Sequence, residues 1–238
     1  MRTTYFLGAI AALALVFASC KKAIKPSDDV TIESRQLTGF TKLDVSDAMD
    51  VEVTFSNQEE VMVEANSNLH QYILTDVVNG TLKIRMKNNV RIKSGAEIKI
   101  YVSALAMESL HIEDASRVEF ITPAVAANFD MDVSGASTFQ GGITANFLHL
   151  HAKGASRVEI WGEALNAEIE ASGASNIGDF AFLISSYLNL DLSGASKAEL
   201  TVDGMMDIEA SGASRFNYKG NGAINDLNLS GSSSVNKQ

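Results

Sequence analysis

Two histidines, His149 and His151, stand two residues apart, the spacing that places both side chains on one face of a β-strand. With a third ligand from Asp130, Asp132, Glu168 or Glu170, such a pair can chelate a transition metal. The plainer reading, that both fill outward polar positions, is the one expected, so no metal ligand and no cofactor is assigned. Asp132, Glu170, Asp191 and Glu209 recur at equivalent places in a repeated pattern, and closely spaced carboxylates can share a hard cation such as Ca²⁺. No EF-hand or glycine-aspartate loop accompanies them, which makes a solvated face the expectation. Gly135-Ala136-Ser137-Thr138-Phe139 matches a nucleophile elbow for three residues but lacks the final Gly, and its neighbours read as strands on both sides. Trp161, the only tryptophan, can stack on a sugar ring, though packing at a turn is the simpler role. No catalytic residue emerges.

The serine of that elbow belongs to a repeat. Ser134-Gly135-Ala136-Ser137, Gly154-Ala155-Ser156, Ser172-Gly173-Ala174-Ser175, Ser193-Gly194-Ala195-Ser196, Ser211-Gly212-Ala213-Ser214 and Ser230-Gly231-Ser232-Ser233 are six copies of one phrase, and Asp114-Ala115-Ser116 is a degenerate seventh. Their last serines follow one another at intervals of 18 to 21 residues. Repetition of a single serine across seven units marks scaffold, because catalysis needs one asymmetric constellation. A fixed period near twenty residues signals a solenoid, in which no unit buries its apolar face alone.

The unit is built from strands. Two residues before each Gly stand Val133, Ala152, Ala171, Leu192, Ala210 and Leu229, and four before stand Met131, Leu150, Ile169, Leu190, Ile208 and Leu227. The positions between are polar: Asp132, His151, Glu170, Asp191, Glu209 and Asn228, preceded by Asp130, His149, Glu168, Asn189, Asp207 and Asp226. Such period-two alternation predicts half-buried strands. After the corner, Val118, Phe139, Val158, Ile177, Ala198, Phe216 and Val235 form a third apolar column. Its polar neighbours are Arg117, Arg157, Lys197 and Arg215 on one side and Glu119, Glu159 and Glu199 on the other. Gly supplies the positive φ or close approach that a corner between strands requires, and Ser can bond local backbone or the next coil. Strand, corner, strand and return fit one coil of a parallel β-helix, with coils stacked about 4.8 Å apart.

Residues 37–110 are less regular. Leu43 to Val53 nevertheless matches Leu110 to Phe120 in polarity, sharing Leu, Asp-Ala, Val and Glu, so the helix is expected to begin near Gly39. Asn79-Gly80 between two β-rich runs predicts a hairpin, and the segment is expected to hold further coils or a capping sheet. Residues 111–238 carry the regular repeats, and 37–238 are read as one domain.

The front of the chain reads as an address. Met1-Arg2 precedes an apolar stretch from Phe6 to Ala18, too short to span a bilayer but the size of a secretory signal core. It runs into Val16-Phe17-Ala18-Ser19-Cys20, which resembles a bacterial lipobox. That resemblance implies a signal peptide at 1–19, cleavage before Cys20 and acylation of this single cysteine, with a membrane as the first partner. Residues 20–36 read as anchor and flexible tether. Beyond Lys25 the chain carries 15 basic and 29 acidic residues, a net charge of −14, which argues against a nucleic-acid partner.

Together the Ser-Gly-Ala-Ser corners, the opening strand Gly39-Phe40-Thr41-Lys42-Leu43-Asp44-Val45, the Asn79 to Ile84 hairpin strand and the leader resemble the head GIN domain family, auto-transporter adhesins common in Bacteroidetes. The resemblance spans about residues 37–237. It implies a right-handed parallel β-helix, a place in the bacterial cell envelope at the outer membrane, and adhesion. No family binding residue is carried over, so the ligand, a glycan or another envelope component, is undefined. The expected function is therefore a non-enzymatic envelope lipoprotein that binds through its strand faces. The alternatives are a polysaccharide lyase or hydrolase on the same scaffold, with two outward carboxylates as acid and base, and a self-stacking structural element.

Overall fold

The computed structural model describes residues 23–238, whose regular elements are strands apart from one 3-10 turn at His70–Tyr72. The N-terminal half supplies β1 (Val30–Arg35), β2 (Lys42–Val45), β3 (Asp50–Phe55), β4 (Glu60–Asn66), β5 (Ile73–Val78), β6 (Thr81–Met86) and β7 (Ile98–Ala104). The first regular coils use β8 (Ser109–Ile112), β9 (Arg117–Phe120), β10 (Ala124–Val133), β11 (Thr138–Ala152), β12 (Arg157–Ala171) and β13 (Asn176–Ile177). The last are β14 (Phe182–Leu192), β15 (Lys197–Val202), β16 (Met205–Ala210), β17 (Arg215–Lys219), β18 (Ala223–Leu229) and β19 (Ser234–Lys237). They wind into a β-solenoid of about 7 turns joined by parallel pairing.

Equivalent residues of successive coils pair in register, as the repeat predicts. On the face before the corner, Met131 pairs with Leu150, Leu150 with Ile169, Ile169 with Leu190, Leu190 with Ile208 and Ile208 with Leu227. On the face after it, Val118 pairs with Phe139, Phe139 with Val158, Val158 with Ile177, Ile177 with Ala198, Ala198 with Phe216 and Phe216 with Val235. The inward columns are buried from Phe40 to Tyr218 in one apolar core. Burial of each such side chain stabilises by about 1.5–3 kcal/mol before chain entropy is subtracted. Packing is size-matched within it: Gly141 leaves room for Phe120 and Phe139, whose rings meet edge to face at 5.0 Å.

The polarity match between residues 43–53 and 110–120 is the stacking register itself, since Leu43 pairs with Leu110 and Val51 with Val118. Space and sequence then part company. The β2–β3 coil lies between β8–β9 on one side and β6–β7 on the other, because the chain leaves it outward and returns across it. Beyond β6–β7 the pairing turns antiparallel, with β5 on β6 through the Asn79-Gly80 turn and β4 on β7 with β1 outside it. Both residues of that turn have positive φ, as a tight hairpin requires. The antiparallel strands cover the end of the solenoid, so the expected coils and the expected cap are both present.

The corners form a ladder of their own. Ala155 N–H donates to Gly135 O, Ala174 to Gly154, Ala195 to Gly173, Ala213 to Gly194 and Ser232 to Gly212, at 2.6–2.8 Å. A Cβ on Gly173 would lie 2.4 Å from the Gly154 carbonyl oxygen, so these glycines answer both a φ near +75° and a close approach. In the two Asp-Ala corners, Asp47, Ala48, Asp114 and Ala115 all adopt positive φ, and those corners stack on each other through Ala48 N–H and Asp114 O. The closing serines Ser116, Ser137, Ser156, Ser175, Ser196 and Ser214 are buried. Ser156 Oγ donates to Val133 O of the preceding coil at 2.9 Å, and Ser214 to Leu192 O at 3.2 Å.

Two readings are corrected. Leu227 and Leu229, placed in buried columns by the repeat, are 44% and 41% exposed, because β18 and β19 form the last rung and no described strand covers them. Residues 23–36, expected as tether, join the domain: Ile24 bridges Ile92, Ser27 N–H meets Asn68 Oδ1, and β1 pairs along β4. The signal segment 1–19 and the lipidation candidate Cys20 lie outside the described residues.

Candidate binding surface

Strand alternation sends three sets of side chains outward, and each makes a different surface. Before the corner, one row runs Asp44, His111, Asp132, His151, Glu170, Asp191, Glu209, Asn228, and its neighbour runs Asp130, His149, Glu168, Asn189, Asp207, Asp226. This is the predicted acidic ladder, interrupted by histidine. Its charges are under-compensated at the centre: burial first, then the carboxylates of Glu209 and Glu170, hold Asp191 above the usual range for an aspartate. His149 sits 3.6 Å from Asp130 and 3.8 Å from Glu168, and His151 sits 3.4 Å from Glu170.

After the corner, the basic row Arg117, Arg157, Lys197, Arg215 runs beside the acidic row Glu119, Glu159, Glu199, as the sequence predicts. The structure couples the two rows within each coil. Arg117 lies 3.3 Å from Glu119, Arg157 2.6 Å from Glu159 and Lys197 2.8 Å from Glu199. Donation from Lys197, aided by Asn217, keeps the Glu199 carboxyl below its ordinary range. These three pairs are satisfied by one another, which leaves Arg215 as the basic residue of the row outside such a pair among the described residues.

The third surface lies at a second corner, where the return segment bends into the next strand. Alternation fails there, and consecutive residues point outward at 127–128, 146–147 and 185–187. A groove of about 490 Å³ runs across several coils between Val125, Ala126, Thr144, Asn146, Glu163, Leu165 and Ser185. A contiguous hollow of about 460 Å³ continues past Val125 toward Lys42 and Glu108. Along its edge the register builds one row: Asn128, Phe147, Asn166, Tyr187, Met205. Amide and aromatic alternate from coil to coil. Phe147 and Tyr187 are 38% and 37% exposed and two rungs apart, about 9.6 Å. The Tyr187 hydroxyl donates to Asp207, which also accepts from Asn225 at 2.8 Å, so the ring is fixed in place. That hydrogen bond raises the Tyr187 pKa and lowers that of Asp207.

The row lies seven residues before each glycine, beyond the alternating positions, and its members differ in chemistry from coil to coil, so no repeated residue type marks it in the sequence. The partial nucleophile elbow resolves into scaffold. Ser137, the serine of the partial elbow, is fully buried and faces the core. Trp161, within β12 and 38% exposed, lies over Gly142, where a Cβ would come within 2.7 Å of its Nε1. A further cavity of about 720 Å³ lies under the loop between β6 and β7, lined by Asp47, Met86, Lys87, Asn89 and Lys93. Its Asp47 carboxylate is already taken by the Met86 N–H at 3.0 Å, and no aromatic lines it.

Residues 39–222 match the sequence profile of the family described as "Putative auto-transporter adhesin, head GIN domain". A search of curated proteins gave no match. Among solved structures, a putative adhesin from Bacteroides fragilis superposes with a TM-score of 0.84 at 17% identity, covering 91% of this chain and 100% of that one. A putative adhesin from Parabacteroides distasonis gives 0.72 at 15% identity, and a putative lipid binding protein from the same species gives 0.72 at 18%, each with 91% of this chain and 100% of the other covered. At these identities the likeness establishes the shared solenoid fold.

Proposed function

The chain belongs to the head GIN domain family of auto-transporter adhesins, and from that premise we propose that it is a non-enzymatic envelope lipoprotein that binds an extended glycan along its second corner. One observation carries the reading: the row Asn128, Phe147, Asn166, Tyr187, in which exposed aromatic rings alternate with amides at the rung spacing. An extended glycan has the matching needs. Its sugar rings offer apolar faces to aromatic platforms and hydroxyls to amides, and two rungs approximate the advance of one disaccharide. Three Arg–Glu and Lys–Glu pairs satisfy one another on the face after the corner, which argues against that face as the main contact surface.

The same reading attaches the chain to the outer membrane through acylated Cys20. Metabolic labelling with a radioactive fatty acid, lost in C20S, is the expected result; retained label in C20S would end that part of the proposal. For the ligand, a glycan array with the soluble chain is followed by titration of each hit with F147A and Y187A. Loss of at least about tenfold in affinity, or 1.4 kcal/mol, is expected for each. Full binding in the F147A/Y187A double variant would overturn the site, and release of shortened oligosaccharides would overturn the non-enzymatic assignment in favour of a lyase or hydrolase.

A further inference from the structure

We propose that His149, His151, Glu168 and Glu170 form a site for one transition-metal cation of the zinc class. The strands β11 and β12 run parallel in a register that sets His149 against Glu168 and His151 against Glu170. The two-residue step puts all four side chains on the outward side of the face before the corner. A His-X-His on one strand therefore meets a Glu-X-Glu on the next.

The histidines converge. Their ring centroids are 4.4 Å apart, well inside the rise of about 6.6 Å that separates residues i and i+2 of a strand. Both rings turn Nε2 toward β12, at 3.8 Å from Glu168 Oε2 and 3.4 Å from Glu170 Oε2. Zinc bonds of about 2.0–2.2 Å in a tetrahedron hold neighbouring donors about 3.3 Å apart, so these pairs stand near ligating separation. Among the described residues no three such groups are yet gathered around one point. The remaining closure falls to Glu168 and Glu170, whose side chains are 40% and 50% exposed and free to rotate, while the backbone stays fixed.

Surrounding groups favour a cation in this place. Asp130 of β10 stands 3.6 Å from His149 Nδ1, behind the ring relative to Glu168, the position of a carboxylate that orients a metal-bound imidazole. His151 Nε2 is shielded from solvent and has no hydrogen-bond partner, which a metal bond would supply. The nearby Lys153 lies on the β10 side, 3.8 Å from Asp132, and so does not occupy the space between β11 and β12. Two imidazoles with two carboxylates select zinc, copper or nickel over calcium, which prefers oxygen alone. The inference is independent of the glycan reading.

Calorimetric titration of the intact protein with ZnCl₂ tests it. One equivalent is expected to bind, with affinity falling at least about tenfold in H149A and in H151A and less steeply in E168Q. H111A is the control, because His111 shares the row with His151 but lies two coils away. In the unaltered protein, the imidazole proton resonances of His149 and His151 are expected to move on zinc addition, while those of His70 and His111 stay. Absence of zinc binding overturns the site, as does binding that survives the H149A/H151A double variant or that CaCl₂ displaces at equal concentration.

Discussion

Replacing Gly173 with Ala perturbs the physical core of the fold, the stacking of corners. The residue has φ +78°, and a Cβ there lies 2.4 Å from Gly154 O, about 1 Å short of ordinary contact. A left-handed alanine costs about 1–2 kcal/mol on its own. Relieving the clash requires the corners to separate, which stretches the 2.7 Å bond from Ala174 N–H to Gly154 O beyond useful length, at about 1 kcal/mol more. Strain passed to the flanking rungs brings the total to about 2–4 kcal/mol, or about 5–15 °C in melting temperature for a chain of this size. Gly39 provides the control, since it has φ +79° with nothing within 4 Å of its Cβ position and so bears only the conformational cost. Urea unfolding followed by far-ultraviolet circular dichroism compares the two. G173A is expected to lose at least about 1 kcal/mol more than G39A, and equal losses would refute the argument that close stacking dictates the glycine.

The corner serines separate in the same assay. S156A removes a buried donor to Val133 O and is expected to destabilise by about 1 kcal/mol. S137A is expected to be neutral or stabilising, because Ser137 Oγ is buried without a partner. Asp191 makes the acidic ladder testable by pH. Its folded pKa lies above the model-peptide value of 3.8, so its contribution to stability is greatest below that value and is lost as pH rises through the folded pKa. D191N is therefore expected to raise the urea midpoint at pH 7, with the advantage disappearing below about pH 4; a midpoint unchanged at neutral pH would show the ladder to be fully solvated.

The repeat was legible because a parallel stack gives every rung the same constraints. Six glycines, the inward columns and the acidic row all return at one period, and the structure pairs them residue for residue. Asn79-Gly80 was legible because its turn chemistry is local. The cap was less so. That β6–β7 sits outside β2–β3 depends on which coil edge is free when the chain returns, a tertiary matter invisible in local pattern. Val30–Arg35 looked like tether because an edge strand with mostly exposed side chains carries no apolar alternation, and its order comes from pairing with β4. At Leu227 and Leu229 the periodicity was correct, and no strand among the described residues covers that rung. The binding row escaped for the opposite reason: Asn128, Phe147, Asn166, Tyr187 and Met205 vary in chemistry from coil to coil, so they form a column only after the register is known.

The central claim is that an extended glycan lies along the solenoid axis, across the rungs and not along one strand. Affinity measured against oligosaccharides of increasing length tests it directly. The row from Asn128 to Met205 crosses four rung spacings, about 19 Å, so affinity is expected to climb with each added residue to about tetrasaccharide length and then level off. Affinity already complete for a monosaccharide, or a length dependence untouched by F147A and Y187A, would contradict the account.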